Sequence, residues 1–354
     1  MTSINLTNFL RRTLPYWLGL ATTLVTINAA SAQSVEQFYK GRNISFLVAS
    51  QSGGVNDLMA RLIARHMGKH IPGNPTFIVQ NLQSAGLVLA NRIYSGAEKD
   101  GTVIAIIERG TPQLAIQGDP NARFDPLKFT WLGSVSSYAN DAYVFWINSS
   151  FSAKSVADLK PGNPIARIGT TGAGATNVVF TLISKDVLGL NIQNVRGYRG
   201  AADVFLAQQR GEVDGQVVGH SAIKVGQQAL YKAGAFRGLI QFARTTRSPE
   251  LPDAPTGREL TNDPKALALL SFAETPFFMA LPLVAPPDIP ADRAKALQDG
   301  FMAMTKDPAF VEEIGRMGQD LSPIDGEAVR RLIAQMGETP KDVIAKFNEI
   351  VSAK

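Results

Sequence analysis

Apolar and polar positions fall into successive blocks that predict buried strands followed by amphipathic helices. In residues 44–67, a short apolar run leads into Gly53 and Gly54, and apolar positions then recur at helical spacing. Glycine adopts backbone conformations that other residues avoid and lets a backbone approach a ligand closely. A helix start also presents unpaired N–H groups, which suit an anion. This block predicts either an anion site or one strand–helix unit of an ordinary α/β domain.

The same alternation continues along the chain. Strands are predicted over residues 75–80, 102–107, 131–135, 143–147, 166–169, 194–196, 212–218, 238–242 and 277–284. Helices are predicted over residues 87–94, 178–188, 202–210, 222–232, 258–270, 291–305, 308–317, 326–336 and 340–352. This order predicts a parallel sheet wrapped by helices. We place two chain crossings between lobes near residues 141–148 and 240–246.

The first 32 residues have the pattern of a secretion signal. Arg11 and Arg12 precede an apolar stretch over residues 14–27, and Ala30-Ser31-Ala32 is an A-x-A cleavage site. A membrane anchor or a buried helix is the alternative, but the apolar stretch is short for a membrane span. We expect cleavage after Ala32 and a periplasmic protein. The arginine pair leaves twin-arginine export open beside ordinary secretion.

Composition excludes several classes of protein. The 354 residues are 45% hydrophobic and 18% charged, with a formal net charge of +5 and no cysteine. Disulfides, thiolate chemistry and a lipid-modified cysteine are therefore excluded. No run of five basic residues occurs, so a nucleic-acid partner is not indicated.

Known enzyme and metal motifs match poorly, and we expect no catalysis, cofactor or metal. No Gly-Lys-Ser/Thr loop occurs, and residues 172–177 lack the third glycine of a dinucleotide fingerprint. Residues 219–223 resemble a nucleophile elbow around Ser221, but Ile223 replaces the second glycine. His66 and His70 have zinc-helix spacing without the following Glu, which favours a solvated helix end.

An ordered set of motifs resembles the substrate-binding receptors of tripartite tricarboxylate transporters, the Bug-type periplasmic receptors. The set covers nearly the whole mature chain and comprises residues 52–61, 79–81, 84–86, 99–102, 123–126, 169–176, 197–202, 211–215 and 248–256. The first loop departs from the family pattern at Gln51 and Ser52, where proline is common. The loop at residues 84–87 lacks the usual Gly-Ala-Gly-Gly sequence.

The resemblance implies a two-lobed α/β receptor of the type II, Venus-flytrap architecture, each lobe a mostly parallel sheet wrapped by helices. Residues 33–142 and 243–354 would form one lobe and residues 143–242 the other. Such a receptor closes on a small organic carboxylate and delivers it to integral membrane permease subunits. We expect a monomer. The same fold used as a sensor for a membrane signalling partner, and a secreted hydrolase using Ser221 or His220, remain alternatives.

The resemblance also implies which residues surround the ligand. They are Ser52, Gly53, Gly54, Asp57, Arg109, Gly110, Thr111, Thr170, Thr171, Gly172, Ala175, Thr176, Tyr198, Arg199, Gly200, Ala201, His220 and Ser221. Asp57 either caps its helix, orders water or receives a ligand ammonium group. Arg109 pairs either with a second ligand carboxylate or with Glu108. Di- and tricarboxylates, amino acids and aromatic acids all remain possible ligands.

Overall fold

The computed structural model describes residues 33–82, 86–172 and 175–352. The predicted signal over residues 1–32, and Ser84, Ala85, Ala173 and Gly174 of the predicted loops, lie outside the described residues. The strands are β1 Asn43–Val48, β2 Thr76–Asn81, β3 Val103–Ile106, β4 Thr130–Ser134, β5 Tyr143–Asn148, β6 Ala166–Gly169, β7 Ile192–Val195, β8 Gly215–Gly219, β9 Phe236–Phe242, β10 Pro282–Ala285 and β11 Ile324–Asp325.

Helices follow most of these strands. They are α1 Val35–Tyr39, α2 Val55–Met67, α3 Gly86–Ser95, α4 Thr111–Ile116, α5 Thr176–Leu182, α6 Ala201–Gln209, α7 His220–Gly226, α8 Gln228–Lys232, α9 Pro264–Glu274, α10 Ala291–Met304, α11 Pro308–Arg316, α12 Gly326–Gly337 and α13 Lys341–Ser352. Within the described ranges, no helix is both long and apolar enough to cross a membrane.

The strands form two sheets, which confirms the predicted two-lobed α/β architecture. The first has six strands in the order β11-β4-β10-β3-β1-β2, and the second has five in the order β7-β6-β8-β5-β9. Parallel pairs join β1 to β2 and β3, and β6 to β7 and β8. The strands next to the chain crossings, β4, β5, β9 and β10, pair antiparallel. The sheets are therefore mixed, because the chain reverses direction where it leaves and re-enters each sheet.

Three predicted elements differ from the structure for local reasons. The helix predicted over residues 222–232 is divided into α7 and α8 at Gln227, whose φ of −131° is not helical. The helix predicted from residue 258 begins at Pro264, where the Asp263 side chain accepts the Lys265 N–H. The strand predicted over residues 277–284 begins only at Pro282, because Thr275–Met279 forms a short 3-10 helix.

One hydrophobic cluster joins the two sheets. It includes Trp131 of β4, Phe145 of β5 and Phe242 of β9, together with Phe180 and Phe277. A second cluster covers the other face of the first sheet, where α2 and α10 pack. The lobes thus share apolar contacts beside the crossings. The lobe boundaries at residues 142–143 and 242–243 stay predictions.

His66 of α2 and His70, in the short 3-10 helix Gly68–His70 that follows it, contact α11 and its N-cap residue and are not a solvated helix end. His66 Nε2 lies 3.0 Å from Glu313 Oε1, and His70 Nε2 lies 2.9 Å from Asp307 Oδ2. Only 9% of the His66 side chain is exposed. Among the described residues, no group of three or more acidic or histidine side chains could hold a metal ion. Both histidines therefore serve packing of the first lobe.

We predict that Asp307→Asn removes an acid-sensitive part of the stability. Hydrogen bonds from Lys69 and then His70 hold the pKa of Asp307 below its usual value of 3.8. A depressed carboxyl pKa stabilises the fold fully above that usual value, and the stabilisation is lost progressively as pH falls from 3.8 through the depressed pKa. The melting temperature of Asp307→Asn should therefore be lower than that of wild type by about 2–4 °C near pH 6, and the difference should narrow as pH falls below 3.8.

Asp263→Asn is the matched control, since both aspartates cap a helix and asparagine caps equally well. Thermal melts between pH 3 and 7 measure the difference. A constant gap between wild type and Asp307→Asn across that range would contradict the prediction.

Candidate functional site

A cavity of about 580 Å³ lies between elements of the two lobes. From the first lobe, the start of α2, residues 108–110 and residues 318–320 line it; from the second, α5 and Ser221 do. Ser136, Tyr138 and Asp141 also line it; they lie in residues 135–142, the segment that joins β4 of the first sheet to β5 of the second and that we call the first crossing from here on. The cavity therefore has walls that a relative movement of the lobes would bring together or separate.

Some of the predicted ligand residues line this cavity, and the others are not part of its wall. Those in the wall are Arg109, Gly110, Thr176 and Ser221. Asn56, two residues after the predicted Gly54, also contributes to the wall. The ligand-binding role of every one of these residues stays a prediction.

The buried side chain of Asp57 holds the first glycine loop, at Gly53 and Gly54, by a hydrogen bond. Asp57 is 1% exposed; its Oδ2 accepts the Gly53 N–H at 2.8 Å, and its Oδ1 accepts Asn81 Nδ2 at 2.9 Å. Arg61, one turn further along α2, lies 3.0 Å away. Burial would raise the pKa of Asp57, but the bonds from Arg61, Gly53 and Asn81 together lower it. Asp57 therefore fixes the loop from inside the protein and does not line the cavity.

Gly53 needs the conformational freedom of glycine, because its φ is +84°. Gly54 is the N-cap of α2 in extended conformation, and Ser52 lies in the exposed turn before it. An added Cβ at Gly54 would meet Gln51 O at 3.2 Å. The loop is thus a tight turn whose backbone leads directly into the helix.

In the second lobe, an aspartate of α6 likewise accepts an N–H from the turn that precedes its helix. The side chain of Asp203 reaches back to accept the Arg199 N–H at 3.3 Å and pairs with the Arg199 guanidinium at 2.9 Å. The Arg199 side chain is 91% exposed, so this turn is fixed at the surface. Tyr198, Gly200 and Ala201 lie in the same turn, and Tyr198 packs against Val204 and its neighbours. Among the described residues, no member of this turn lines the cavity.

The loop before α5 is tied to its own lobe by its threonines. Thr170 is fully buried and donates its hydroxyl to Asn194 Oδ1 at 2.5 Å. Thr171 donates to Asn177 Oδ1 at 2.9 Å. Gly172 lies in the same loop; Ala175 is the N-cap of α5 and Thr176 its first residue. Of this loop, Thr176 is the described residue that reaches the cavity wall.

Arg109 is the cation in the cavity wall. Its Cζ lies 3.9 Å from the ring centroid of Phe277 and 5.9 Å from that of Tyr138. Among the described residues, no carboxylate oxygen lies within 4.0 Å of its guanidinium. Glu108 instead accepts Asn56 Nδ2 at 2.8 Å. Of the two predicted pairings, the one with Glu108 is absent, so the in-plane donors of Arg109 that do not face Tyr138 remain for a ligand. Thr111, next in the chain after Gly110, is buried and begins α4.

Ser221 and His220 have separate partners. Ser221 donates its hydroxyl to Asp141 Oδ2 at 2.6 Å and its N–H to Asp141 Oδ1 at 3.1 Å. His220 is 2% exposed, and its Nε2 lies 2.9 Å from the Tyr231 hydroxyl. Burial lowers the pKa of His220. A hydrolase would need the imidazole against the serine hydroxyl, and this arrangement directs each elsewhere.

Residues 59–349 match the family model described as the tripartite tricarboxylate transporter family receptor, TctC. The chain belongs to this receptor family.

Relatives of known sequence or structure agree with this assignment. A UPF0065 protein of Bordetella pertussis is 27% identical over 327 residues, covering 90% of this chain and 93% of that protein. A TctC solute-binding protein from Polaromonas shares the fold with a TM-score of 0.68 at 18% identity, covering 87% of this chain and 99% of that one. R. palustris Rpa4515, solved with adipate, has a TM-score of 0.55 at 20% identity over 87% and 96% of the chains.

Several wall residues of this TctC-family receptor had no signal in the sequence. They are Ser136, Asp141, Gln319 and Asp320. Ser136 and Asp141 come from the first crossing, and the other two from the turn after α11. The predicted position of the first crossing was the one clue to Ser136 and Asp141 as wall residues, because a segment that joins two lobes must pass the cleft between them.

We predict that Asp57→Ala destabilises the receptor much more than Asp203→Ala. Both aspartates hold the turn before a helix, but Asp57 is buried and Asp203 is partly exposed. Loss of the buried carboxylate leaves its donors unsatisfied, which costs about 1–3 kcal/mol in free energy of unfolding. Urea denaturation at pH 7 measures both variants. Equal losses of unfolding free energy in the two variants would show that the burial of Asp57 adds nothing to stability.

Proposed function

We propose that this receptor binds a small organic carboxylate in the cleft and delivers it to integral membrane permease subunits. It would act as a monomer in the periplasm after removal of the signal following Ala32. The observation that carries the proposal is Arg109, whose guanidinium lies in the cavity over Phe277 without a carboxylate within 4.0 Å among the described residues. A half-buried guanidinium with in-plane donors attracts an anion, and a ligand carboxylate supplies one with matching geometry.

The neighbouring structures agree with this class of ligand. Rpa4515 has the same fold and was solved with adipate. In the present receptor, Thr176 and Asn56 line the same cavity as Arg109 and carry a hydroxyl and an amide group that can donate to a ligand. Backbone and side-chain donors of this kind hold carboxylates without further charged groups.

The two crossings supply a hinge for closure. Tyr138 in the first and Ala243 in the second both have φ of +60°, an uncommon conformation for residues other than glycine. Arg244 joins the crossings, since its Nη1 donates to Ala139 O and Asp141 O and its Nε to Thr246 O, each at 2.9 Å. We expect the lobes to rotate about this fixed region, with the ligand favouring the closed state.

We predict that Arg109→Met lowers affinity for the best-bound acid by about 10–100-fold, as expected for loss of a charge-assisted contact. Isothermal titration with adipate, malate, succinate, benzoate and glucose tests the class of ligand. Arg92→Met, on the exposed face of α3, is the matched control and should bind as wild type does.

Arg109→Lys should recover part of the affinity, because it keeps the charge but not the planar donors. Binding of glucose with no acid bound, or full acid affinity in Arg109→Met, would contradict the proposed function. Delivery to a permease requires a separate test, in which uptake of the bound acid by cells falls when the receptor gene is deleted.

A further inference from the structure

The cavity wall carries more negative than positive formal charge. Among the described residues of the wall, the charged groups are the carboxylates Glu108, Asp141 and Asp320 and the guanidinium of Arg109. Within the described part of the chain, none of these carboxylates has a Lys, Arg or His nitrogen within 4.0 Å. A cleft that took only di- or tricarboxylates would place like charges together in a partly enclosed space, which is unfavourable.

Asp141 is fixed by neutral donors only. It accepts Ser221 Oγ at 2.6 Å, Ser221 N–H at 3.1 Å and Ala142 N–H at 2.8 Å, and it is 8% exposed. These bonds cap the start of α7 and hold the carboxylate at the cavity wall. A carboxylate has about four acceptor positions, so Asp141 keeps capacity for a further donor.

Asp320 is distant from Asp141 in the sequence, and neutral donors hold its carboxylate too. It accepts Ser136 Oγ at 2.6 Å and Asn140 Nδ2 at 3.0 Å, and the Ser322 hydroxyl donates to it as well. Hydroxyl and amide donors orient this carboxylate but do not cancel its charge. Ser136 and Asn140 belong to the same crossing as Asp141, so the two acids lie on one side of the cavity.

Both acids and Arg109 act on the same side chain, Tyr138. Burial raises the pKa of Tyr138 to about 12; Asp141 and Asp320 add to the increase, and Arg109 opposes it. The positive and negative groups of the wall are therefore near enough to act on one phenol. Arg109, Asp141 and Asp320 also line the same cavity.

We propose that Asp141 and Asp320 form a cation subsite in the cleft, and that the ligand carries a protonated amine as well as the carboxylate that meets Arg109. The inference rests on the proposed function, because the carboxylate is what places the ligand against Arg109. It narrows the ligand class to amino acids and similar zwitterions.

The test compares acids that differ only by an amino group. Isothermal titration at pH 7 measures succinate against aspartate, glutarate against glutamate, and adipate against 2-aminoadipate. The aminated member of the best-bound pair should bind at least about 10-fold more tightly to wild-type receptor. This comparison needs no variant and so does not depend on the folding of one.

Variants then locate the subsite. Asp320→Asn keeps the size of the side chain and should lower affinity for the aminated acid by about 10-fold or more while leaving its unaminated partner unchanged or tighter. Glu338→Gln removes the same charge at an exposed position outside the cavity and should change neither affinity. An Asp320→Asn variant that weakened both members equally would overturn the assignment.

The outcomes separate the inference from the proposed function. If unaminated acids bind as tightly as aminated ones and depend on Arg109, the cation subsite is wrong and the carboxylate receptor stands. If no acid of either kind binds, the carboxylate function fails and the subsite fails with it.

Discussion

The path of the chain between the lobes depends on one buried carboxylate, that of Glu274. Its Oε1 accepts the Ala243 N–H at 3.1 Å, and its Oε2 lies 2.6 Å from an Arg258 nitrogen. Burial raises the pKa of Glu274 to about 6, and Arg258 opposes that increase. A buried carboxylate must keep its partners, so the second crossing is fixed in place at Ala243 against the end of α9.

The loops beside the cleft are organised by their own helices before any ligand arrives. Asp57 in the first lobe and Asp203 in the second each accept an N–H from the turn that precedes their helix. The same device is buried in one lobe and exposed in the other. The first loop is therefore expected to be the more rigid of the two.

Local signals predicted much of the fold and part of the site. Asp307 before a proline marks the start of α11 within one residue, because caps and prolines act locally. The break at Gln227 has no such signal. Arg109 was predicted because the family resemblance maps a ligand loop to the residues after the third strand, and the structure places it in the cavity wall. Asp141 and Asp320 are far apart in the sequence, and only the crossing beside the turn after α11 brings them to one wall, so no local pattern could indicate them.

The charges of the cleft bear on selectivity at the closing step. Stacking on Phe277 covers one face of the Arg109 guanidinium and leaves in-plane donors for a ligand. In an open, wet cleft, water weakens both the attraction of a carboxylate to Arg109 and its repulsion by Asp141 and Asp320. Closure removes water, which strengthens the attraction and the repulsion together. A ligand that balances the two signs therefore gains from closure, whereas one with only negative groups loses part of what Arg109 contributes. Under this argument, the acids decide less which molecules enter the cleft than which of them allow the lobes to close.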